Sequence, residues 1–174
     1  MSMVDARELR NACGLFGTGV NIITTRRNGI DHGMTANAFM SVSLDPPLIA
    51  ISIAEKAKML PLIRETGRFA VSTLAHGMEK IAWHFAGKPD PGFQDVFRDE
   101  RDLPVVEDAL AIFVADVTDE ILAGDHTIFI GHVRALNICP DREPLLFFKG
   151  KFGAIASQEP APVDLCDPIR EIIW

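Results

Sequence analysis

Small polar side chains are concentrated in one otherwise apolar segment of this sequence, MTANAFMSVSLDPPLIAIS at residues 34–52. They are Thr35, Asn37, Ser41, Ser43 and Ser52, and they interrupt a run with the composition of a β-strand. Small side chains let a flat ligand approach backbone amides and carbonyls. The Asn37 amide both donates and accepts hydrogen bonds, as the edge of a heteroaromatic ring requires. The segment predicts a site for a planar ligand, although a serine- and threonine-rich strand rim without any ligand fits the same residues.

Two short stretches carry charge that a ligand could use. Lys56 and Lys58 follow that segment directly, and two cations suffice for one phosphate group, although a solvated turn has the same composition. In the stretch GDH, a Gly-Asp turn places His126 at the start of a strand. An imidazole there can contact a ligand and change charge near neutral pH. A single histidine is more often a structural hydrogen-bonding residue, so this signal is ambiguous by itself.

A hairpin near the end of the chain, FFKGKFG at residues 147–153, combines aromatic rings with two lysines. Aromatic faces can stack on a planar ring, and the lysines can hold a charged group. Phenylalanines of an ordinary hydrophobic core would give the same pattern. The hairpin therefore supports a ligand site only together with other signals.

Several common catalytic arrangements are excluded. His126 and His132 would share one face of a strand, but six residues at about 3.3 Å each separate them by roughly 20 Å, too far for one metal ion. The glycines of GLFGTG at 14–19 precede a strand, whereas a dinucleotide fingerprint needs a helix. No nucleophile elbow occurs. We expect no metal site, and we expect Cys13, on the apolar face of a helix, to be a buried and inert thiol.

Length and composition restrict the class of protein. The chain has 174 residues, a formal net charge of −7 and 48% hydrophobic residues, which predicts a single globular domain. An acidic chain without a cluster of Lys and Arg is a poor candidate for binding a nucleic-acid backbone. Three widely spaced cysteines favour a reducing cytoplasm. The sequence has no apolar signal region and no run of about 18 apolar residues, so we expect neither export nor a membrane span.

The hydrophobic pattern predicts two or three short helices and about eight strands. Helices are expected at Val4–Phe16, Lys58–Thr66 and Met78–Phe85, and strands at Val20–Thr25, Asp31–Thr35, Leu48–Ala54, Arg68–Leu74, Ala109–Leu122, His126–Ile138, Leu145–Lys149 and Phe152–Ala156. Asn28-Gly29 predicts a tight hairpin turn, and a polar loop is expected at Ala86–Asp102. Many strands with few helices favour a closed or nearly closed antiparallel barrel. We expect one domain at residues 1–156 and a proline-containing tail at 157–174.

These stretches occur in one order: FGTGV, MTANAFMSVSLDPPL, LIAISIAEKAKM, HFAGK, GDHTIFIGHV and PLLFFKGKFG. In this combination, from about Cys13 to Ile155, the sequence resembles the flavin reductase family of the FMN-binding split-barrel superfamily. That family includes the reductase components of two-component flavin-dependent monooxygenases. The resemblance implies a mainly β fold, an antiparallel and Greek-key-like split β-barrel with a few short peripheral helices.

The resemblance also assigns roles to the matching positions. The pyrimidine side of the isoalloxazine would meet Thr35, Ala36 and Asn37, on the same cofactor-facing segment as Ser41, Val42 and Ser43. The ribityl phosphate would lie among Ser52, Ile53, Lys56 and Lys58. The outer part of the flavin would be covered by Phe85, Ala86, Gly87 and Lys88. The nicotinamide would be bound by Gly124, Asp125, His126 and Phe152, with His126 as the catalytic candidate.

The implied function is that of an NAD(P)H:flavin oxidoreductase, which transfers a hydride from NADH or NADPH to FMN or FAD and supplies reduced flavin to a monooxygenase. Two alternatives stay open. One is a flavoprotein that retains FMN and passes electrons to another acceptor such as a cobalt corrinoid, and the other is a flavin-binding protein without turnover. A homodimer is implied as well, with the apolar end Ile172-Ile173-Trp174 packing across its interface.

Two departures from the family pattern bear on the site. The family often has tyrosine where Phe147 and Phe152 stand, and this chain has no tyrosine. Phenylalanine keeps the stacking surface and loses the phenolic hydrogen bond. The turn Glu55-Lys56-Ala57-Lys58 lacks the Ser or Thr that often follows the basic residue in the family.

Overall fold

A computed structural model describes residues 4–93 and 96–156 of the chain. Three helices lie in these ranges: α1 at Ala6–Cys13, α2 at Met59–Thr66 and α3 at Glu79–Phe85. The first six strands are β1 at Thr18–Gly19, β2 at Asn21–Arg27, β3 at Ile30–Ala36, β4 at Phe39–Leu44, β5 at Pro47–Ala54 and β6 at Arg68–Thr73. The remaining strands are β7 at Phe97–Glu100, β8 at Leu103–Val106, β9 at Ala111–Ala123, β10 at His126–Ile138, β11 at Leu146–Phe148 and β12 at Lys151–Gly153.

Seven strands form the main sheet in the order β3-β2-β6-β9-β10-β5-β4, and every neighbouring pair is antiparallel. The two edge strands, β3 and β4, are consecutive in the chain and are joined only by Asn37 and Ala38. The backbone N–H of Ser52 on β5 donates to the carbonyl of Ala38 at 3.3 Å. A two-residue link forces the sheet to curl until its edges meet at this end. The structure thus confirms the expected mainly β, antiparallel split barrel.

The first long hairpin follows from its turn sequence. Asn28 and Gly29 link β2 to β3 with φ values of 52° and 75°. Both residues therefore adopt the left-handed conformation that a two-residue hairpin turn requires, and Asn and Gly adopt it at low cost. The turn fixes the register in which Asn21 pairs with Ala36. This register places the end of β3 beside the start of β2.

Inside the barrel, helix α2 packs against the inner faces of β2, β5 and β6. Its buried side chains Met59, Leu60 and Ile63 join a cluster that includes Phe69 and Phe129. Full burial of each large apolar side chain contributes roughly 1.5–3 kcal/mol. The helix ends at Gly67, whose φ of 65° lets the chain turn into β6. This interior cluster holds the barrel strands in place.

A second buried cluster covers the outer face of β2, β6 and β9. It includes Ala70 and Val114 from the sheet, Ala82 from α3 and Val105 from β8. The Ser72 hydroxyl accepts a hydrogen bond from the backbone of Val106 at 3.0 Å, which ties the β7–β8 hairpin to the sheet. The same cluster fixes α3 on the outside of the barrel.

Three expectations need correction. The segment 86–102, expected to be a polar loop, contains β7, and the described residues hold twelve strands instead of about eight. The unexpected strands β1, β4, β7 and β8 are two to six residues long, too short for a clear alternating pattern. Cys13 is exposed and α1 has no buried residue, because its apolar side faces no other element of the described chain.

Two further expectations concern the end of the chain and membrane spans. The predicted tail at 157–174 lies outside the described residues. Within residues 4–93 and 96–156, no helix is both long and apolar enough to cross a membrane.

Candidate active site

A cleft of about 240 Å³ opens beside the turn that joins β3 to β4. Distant parts of the chain meet there: the end of β3, helix α3 and the β11–β12 hairpin. The lining residues are Val20, Thr35, Ala36, Asn37, Trp83, Ala86, Phe147, Gly150 and Phe152. Of the residues predicted for the site, the cleft therefore brings together Thr35, Ala36, Asn37, Ala86 and Phe152.

One wall of the cleft is the end of β3. Asn37 is exposed, and its side-chain amide has no hydrogen-bond partner among the described residues. It is free to bind the polar edge of a ring. The hydroxyl of Thr35 is engaged differently, because it donates to the carbonyl of Ala82 at 2.7 Å. Thr35 therefore attaches α3 to β3.

The opposite wall is aromatic. The rings of Trp83 and Phe152 meet edge-on with centroids 5.1 Å apart, and those of Phe147 and Phe152 lie 5.7 Å apart. Trp83 retains 40% of its accessible surface. Such a wall provides flat apolar area against which a planar ring can stack.

Sequence reasoning missed Trp83. The helical pattern over 78–85 identified Met78, Ile81, Ala82 and Phe85 as the buried face, which left Trp83 on the assumed surface. A tryptophan on the polar side of a short helix is the signal that could have identified it, because so large an apolar side chain is usually covered. The cleft explains its position.

Two aromatic rings pack α3 tightly against β3. The Phe85 ring stacks on that of Phe97 at 5.2 Å, and both rings lie directly against Gly33. A Cβ at Gly33 would lie 2.9 Å from the Phe85 ring, so glycine is needed for this close approach. Phe85 therefore packs beneath the cleft and does not line it, and it holds α3 in position.

The predicted serines lie on β4 and β5, next to the turn between β3 and β4. Ser41, Val42 and Ser43 follow the turn along β4, with a bulge between Ser41 and Ser43. Ser52 lies beside the turn through its bond to Ala38. The side chain of Ile53 is fully buried in the interior cluster. Only the backbone of Ile53 could meet a ligand.

His126 begins β10 and pairs with Ala54, two residues beyond Ser52. At about 3.3 Å per residue and about 4.8 Å between strands, it lies on the order of 10 Å from the β3–β4 turn. Its Nδ1 is 2.7 Å from Oδ1 of Asp125. A carboxylate only accepts, so Nδ1–H donates and Nε2 remains as the atom that can bind a ligand.

Asp125 lies in the turn between β9 and β10, where neighbouring charges favour its ionised form. The hydrogen bond with His126 lowers the pKa of Asp125, and the nearby charges of His126 and Lys56 lower it further. Asp125 therefore stays negative at neutral pH. It holds the imidazole in one orientation while Gly124, with a φ of 66°, forms the turn.

A polar network attaches the turn between β9 and β10 to the rest of the barrel. Thr127 donates to the carboxylate of Glu55 and accepts from Nη2 of Arg64 at 3.1 Å. Arg64 also donates through Nε to Glu120 at 3.1 Å. The backbone N–H of Glu55 donates to the carbonyl of Asp125 at 2.9 Å. The network connects β5, α2, β9 and β10, so it fixes where His126 stands.

The other predicted basic residues lie outside the cleft. Lys58 lines a second cavity of about 280 Å³ between β3 and α2, together with His32 and Met34. The ammonium of Lys88 lies 4.0 Å from the centroid of a Trp83 ring, and Gly87, with a φ of 89°, turns the chain so that Lys88 can reach it. Lys88 does not line the cleft, so it covers the indole from outside.

The cleft joins a free amide and several aromatic rings, and a histidine–aspartate pair lies on the order of 10 Å away. None of the described residues that line it is a Ser, Cys or Lys nucleophile, and no group of three metal-ligating side chains occurs in the described ranges. This arrangement suits a bound planar group that carries the chemistry while the protein binds and orients it.

Comparison with known proteins gives a consistent result. The model of the flavin reductase like domain matches residues 13–156. The chain is 43% identical over 150 residues to an NADH-dependent flavin reductase of Rhodococcus sp, covering 84% of this chain and 85% of the relative. It is 36% identical over 140 residues to the reductase component of 4-hydroxyphenylacetate 3-monooxygenase from Thermus thermophilus, covering 80% and 90%.

The same similarity appears among solved structures. The flavin reductase PheA2 in its native state superposes with a TM-score of 0.84 at 49% identity, covering 88% of this chain and all (100%) of that one. The shared fold thus extends over nearly all of the described residues. The chain belongs to the flavin reductase like domain family.

Proposed function

We propose that this chain is an NADH-dependent flavin reductase that transfers a hydride from the reduced nicotinamide to FMN or FAD. The observation that carries the proposal is the cleft between the free amide of Asn37 and the aromatic wall of Trp83 and Phe152. Relatives named as NADH-dependent flavin reductases support the same activity. The proposed function needs no catalytic nucleophile, in agreement with the lining of the cleft.

The residues of the cleft fit a flavin ring. The amide of Asn37 can donate to and accept from the polar edge of the ring, while the small side chain of Ala36 leaves the backbone accessible. The aromatic side chains opposite can cover an apolar ring face. When bound, the flavin supplies a ring system that accepts a hydride and releases electrons to an acceptor.

The contribution of the chain is orientation. The cleft and the residues beside it would hold the flavin and the nicotinamide close to each other, and such orientation is the main source of rate when the cofactor carries the chemistry. His126 is the polar candidate near the donor, and its bond to Asp125 fixes the ring. We propose that Nε2 of His126 positions the nicotinamide or, when both ring nitrogens are protonated, donates a proton.

The phosphate of the flavin would extend from the cleft toward the end of β5. Ser52 adjoins the β3–β4 turn, and Lys56 and Lys58 follow it. Two ammonium groups within three residues can neutralise one phosphate. Their position in the sequence supports the proposed phosphate site, while Lys58 lines the second cavity between β3 and α2, and two lysines are too small a cluster for a polyanion.

We further propose that the reduced flavin is delivered to a separate monooxygenase. One relative is named as the reductase component of a monooxygenase, at 36% identity over 80% of this chain. Widely spaced cysteines in the sequence support a reducing, cytoplasmic location.

A homodimer is part of this proposal. On the outside of β4, β5, β9 and β10 the register places Met40, Ala50, Ile121, Ile128 and Ile130 on one face, termed here the outer apolar face. Met40 is 57% exposed and Ile121 is 48% exposed. Ala50 within this face is buried and the charged Asp119 lies on it beside Ile130, but exposed apolar side chains such as Met40 and Ile121 mark an interaction site, and a second copy of this chain is the proposed occupant.

An anaerobic titration of the flavin-loaded protein tests the function. NADH, then NADPH, is added while absorbance near the flavin band at about 450 nm is followed. We expect rapid loss of absorbance with NADH. A flavin that binds and stays oxidised would indicate a binding protein without turnover, and tight retention of reduced flavin that reacts with a corrinoid would favour a flavoprotein that passes electrons to such an acceptor.

Two variants separate the roles within the site. Asn37→Ala should weaken flavin binding by about tenfold, since a hydrogen bond of roughly 1 kcal/mol or more is lost at the ring edge. His126→Ala should raise the KM for NADH or lower kcat and leave flavin affinity unchanged. Steady-state kinetics and flavin titration measure both effects. Unchanged KM and kcat in His126→Ala would refute the role of His126.

A further inference from the structure

Trp83 is the largest side chain that lines the cleft, and the sequence patterns gave it no role. Its indole lines the same cleft as Asn37 and is 40% exposed, on a helix whose other large apolar side chains, Ile81 and Phe85, pack against the outer cluster. Among the described residues its Nε1 has no hydrogen-bond partner within the molecule. An exposed tryptophan that completes a concave wall is a common feature of ligand sites.

Two side chains contact the indole, and the attachment of its helix to β3 supports it from below. The edge-on contact with Phe152 fixes one side at 5.1 Å, and the ammonium of Lys88 lies over a ring face at 4.0 Å. Beneath it, Thr35 and the Phe85–Gly33 contact attach α3 to β3. An aromatic side chain held in this way binds a planar partner without losing conformational freedom.

The cleft has room for a single ring system. Its volume of about 240 Å³ is below the roughly 300–1,000 Å³ of pockets that enclose a whole small ligand. The rest of any nucleotide must therefore extend out of the cleft. The side chains that line the cleft would therefore contact the ring of a bound nucleotide and not the rest of it.

We propose that Trp83 is a positioning residue that stacks on the planar, electron-poor ring bound in the cleft, with Phe152 and Lys88 fixing the orientation of the indole. This inference rests on the proposed function, under which that ring is either the oxidised flavin or the nicotinamide. Both have the same stacking chemistry, and the experiment distinguishes them.

The test compares Trp83→Ala, Trp83→Phe and Phe148→Leu. Phe148 is a matched control, because a second lysine, Lys149, lies over its ring at 5.2 Å while Phe148 does not line the cleft. Affinities for oxidised FMN and for NAD⁺ are measured separately by calorimetry, together with KM and kcat for NADH. Thermal melting confirms that each variant is folded.

We expect Trp83→Ala to weaken one of the two affinities by about tenfold, as stacking on aromatic side chains predicts. Trp83→Phe should stay within about threefold of the wild type, and Phe148→Leu should be unchanged. Weaker FMN binding would assign the flavin ring to Trp83. A higher KM for NADH with normal FMN affinity would assign the nicotinamide.

A spectroscopic measurement adds a signal that a purely structural role would not produce. In a Trp174→Phe background Trp83 is the sole tryptophan, since the chain has two. Saturating NAD⁺ or FMN should reduce quenching of its fluorescence by acrylamide. Unchanged quenching with both ligands, or equal affinities in Trp83→Ala and the wild type, would overturn the proposal. If the wild type binds and reduces flavin in that case, the proposed function still stands, whereas a wild type that binds no flavin contradicts that function itself.

Discussion

The two halves of the main sheet differ in how many of their faces are covered. In β2, the adjacent residues Ile22 and Ile23 point to opposite faces, and both are fully buried in different clusters. In β4 and β5, Ile49 and Ile51 are buried on the inner face while Met40 on the outer face is 57% exposed. One half is therefore a sheet with both faces covered, and the other has one face open.

This difference assigns separate tasks to the two halves. The β2–β6–β9 half holds α2 on one side and α3 with the β7–β8 hairpin on the other, so it provides stability and supports Trp83. The β4–β5–β10 half carries the turn, the serines and His126 beside an uncovered apolar surface. The predicted serines and His126 therefore lie beside the open face, whereas the cleft itself is lined from β3, α3 and the β11–β12 hairpin.

The largest loss of stability is expected for a substitution in the half of the sheet that is covered on both faces. Phe69→Ala removes a fully buried ring from the interior cluster and should lower the free energy of unfolding by about 3–5 kcal/mol. Met40→Ala, on the open face, should change it by less than about 0.5 kcal/mol in the monomer. Urea denaturation at low protein concentration measures both. Similar losses for the two variants would contradict the comparison.

A smaller loss of stability is expected when the ion pairs that Asp116 on β9 makes with β6 and β10 are removed. Asp116 accepts from Nε of Arg68 at 3.0 Å and from Nε of Arg134 at 2.8 Å. Burial alone would raise the pKa of Asp116, but these hydrogen bonds and charges lower it below its ordinary 3.8. Because the three side chains are about one third to one half exposed, water screens the pairs, and Asp116→Asn should cost only about 1 kcal/mol at pH 7.

The pH dependence of that loss has a definite sign. A folded-state pKa below the unfolded value stabilises the protein above pH 3.8, and this contribution is lost as the pH falls through the folded pKa. The difference between wild type and Asp116→Asn should therefore be constant near neutrality and shrink below about pH 4. Asp119→Asn, at an exposed position on the same strand, is the control. A difference that grows on acidification would contradict the assignment.

The smallest effect on stability should accompany a large effect on assembly. Met40→Asp places a charge on the outer apolar face, where the side chain is already solvated in the monomer, so the monomer should lose less than about 0.5 kcal/mol. If a second copy covers this face, the charge would have to be desolvated and the dimer should dissociate. Analytical ultracentrifugation of Met40→Asp and wild type measures this. A wild type that is monomeric, or a dimeric variant, would refute the proposed interface.

Much of the fold was predictable because its signals are local. Asn28-Gly29 predicts its own turn, and the runs of β-branched and apolar residues in β2, β6 and β9 predict strands from residues close together in the chain. The strands β1, β4, β7 and β8 were not predicted, since each is only two to six residues long and shows too little of a pattern by itself. The exposure of Cys13 was mispredicted for a related reason: an amphipathic pattern does not say whether anything covers the apolar side.

For the candidate site, the sequence pointed to residues 34–52, and the family resemblance added Ala86 and Phe152, but neither indicated Trp83. Thr35, Ala36, Asn37, Ala86 and Phe152 line the cleft, and the chain also carries the stretches on which the family resemblance rests. Trp83 was missed because its position on α3 lies off the apolar pattern. The proposed contacts of the remaining residues with flavin and nicotinamide are still predictions.

The sequence by itself determined the local turns, the longer apolar strands, the helix stop at Gly67 and the ordered motifs that mark the family, because each depends on residues close together in the chain. Only the tertiary structure decided that β3, α3 and the β11–β12 hairpin enclose one cleft, that Phe85 packs beneath it and that Trp83 lines it. Those outcomes depend on the close approach of Gly33 to Phe85 and on the closure of the sheet at Asn37 and Ala38. Contacts between residues so far apart arise from the packing of the whole barrel, which no local pattern records.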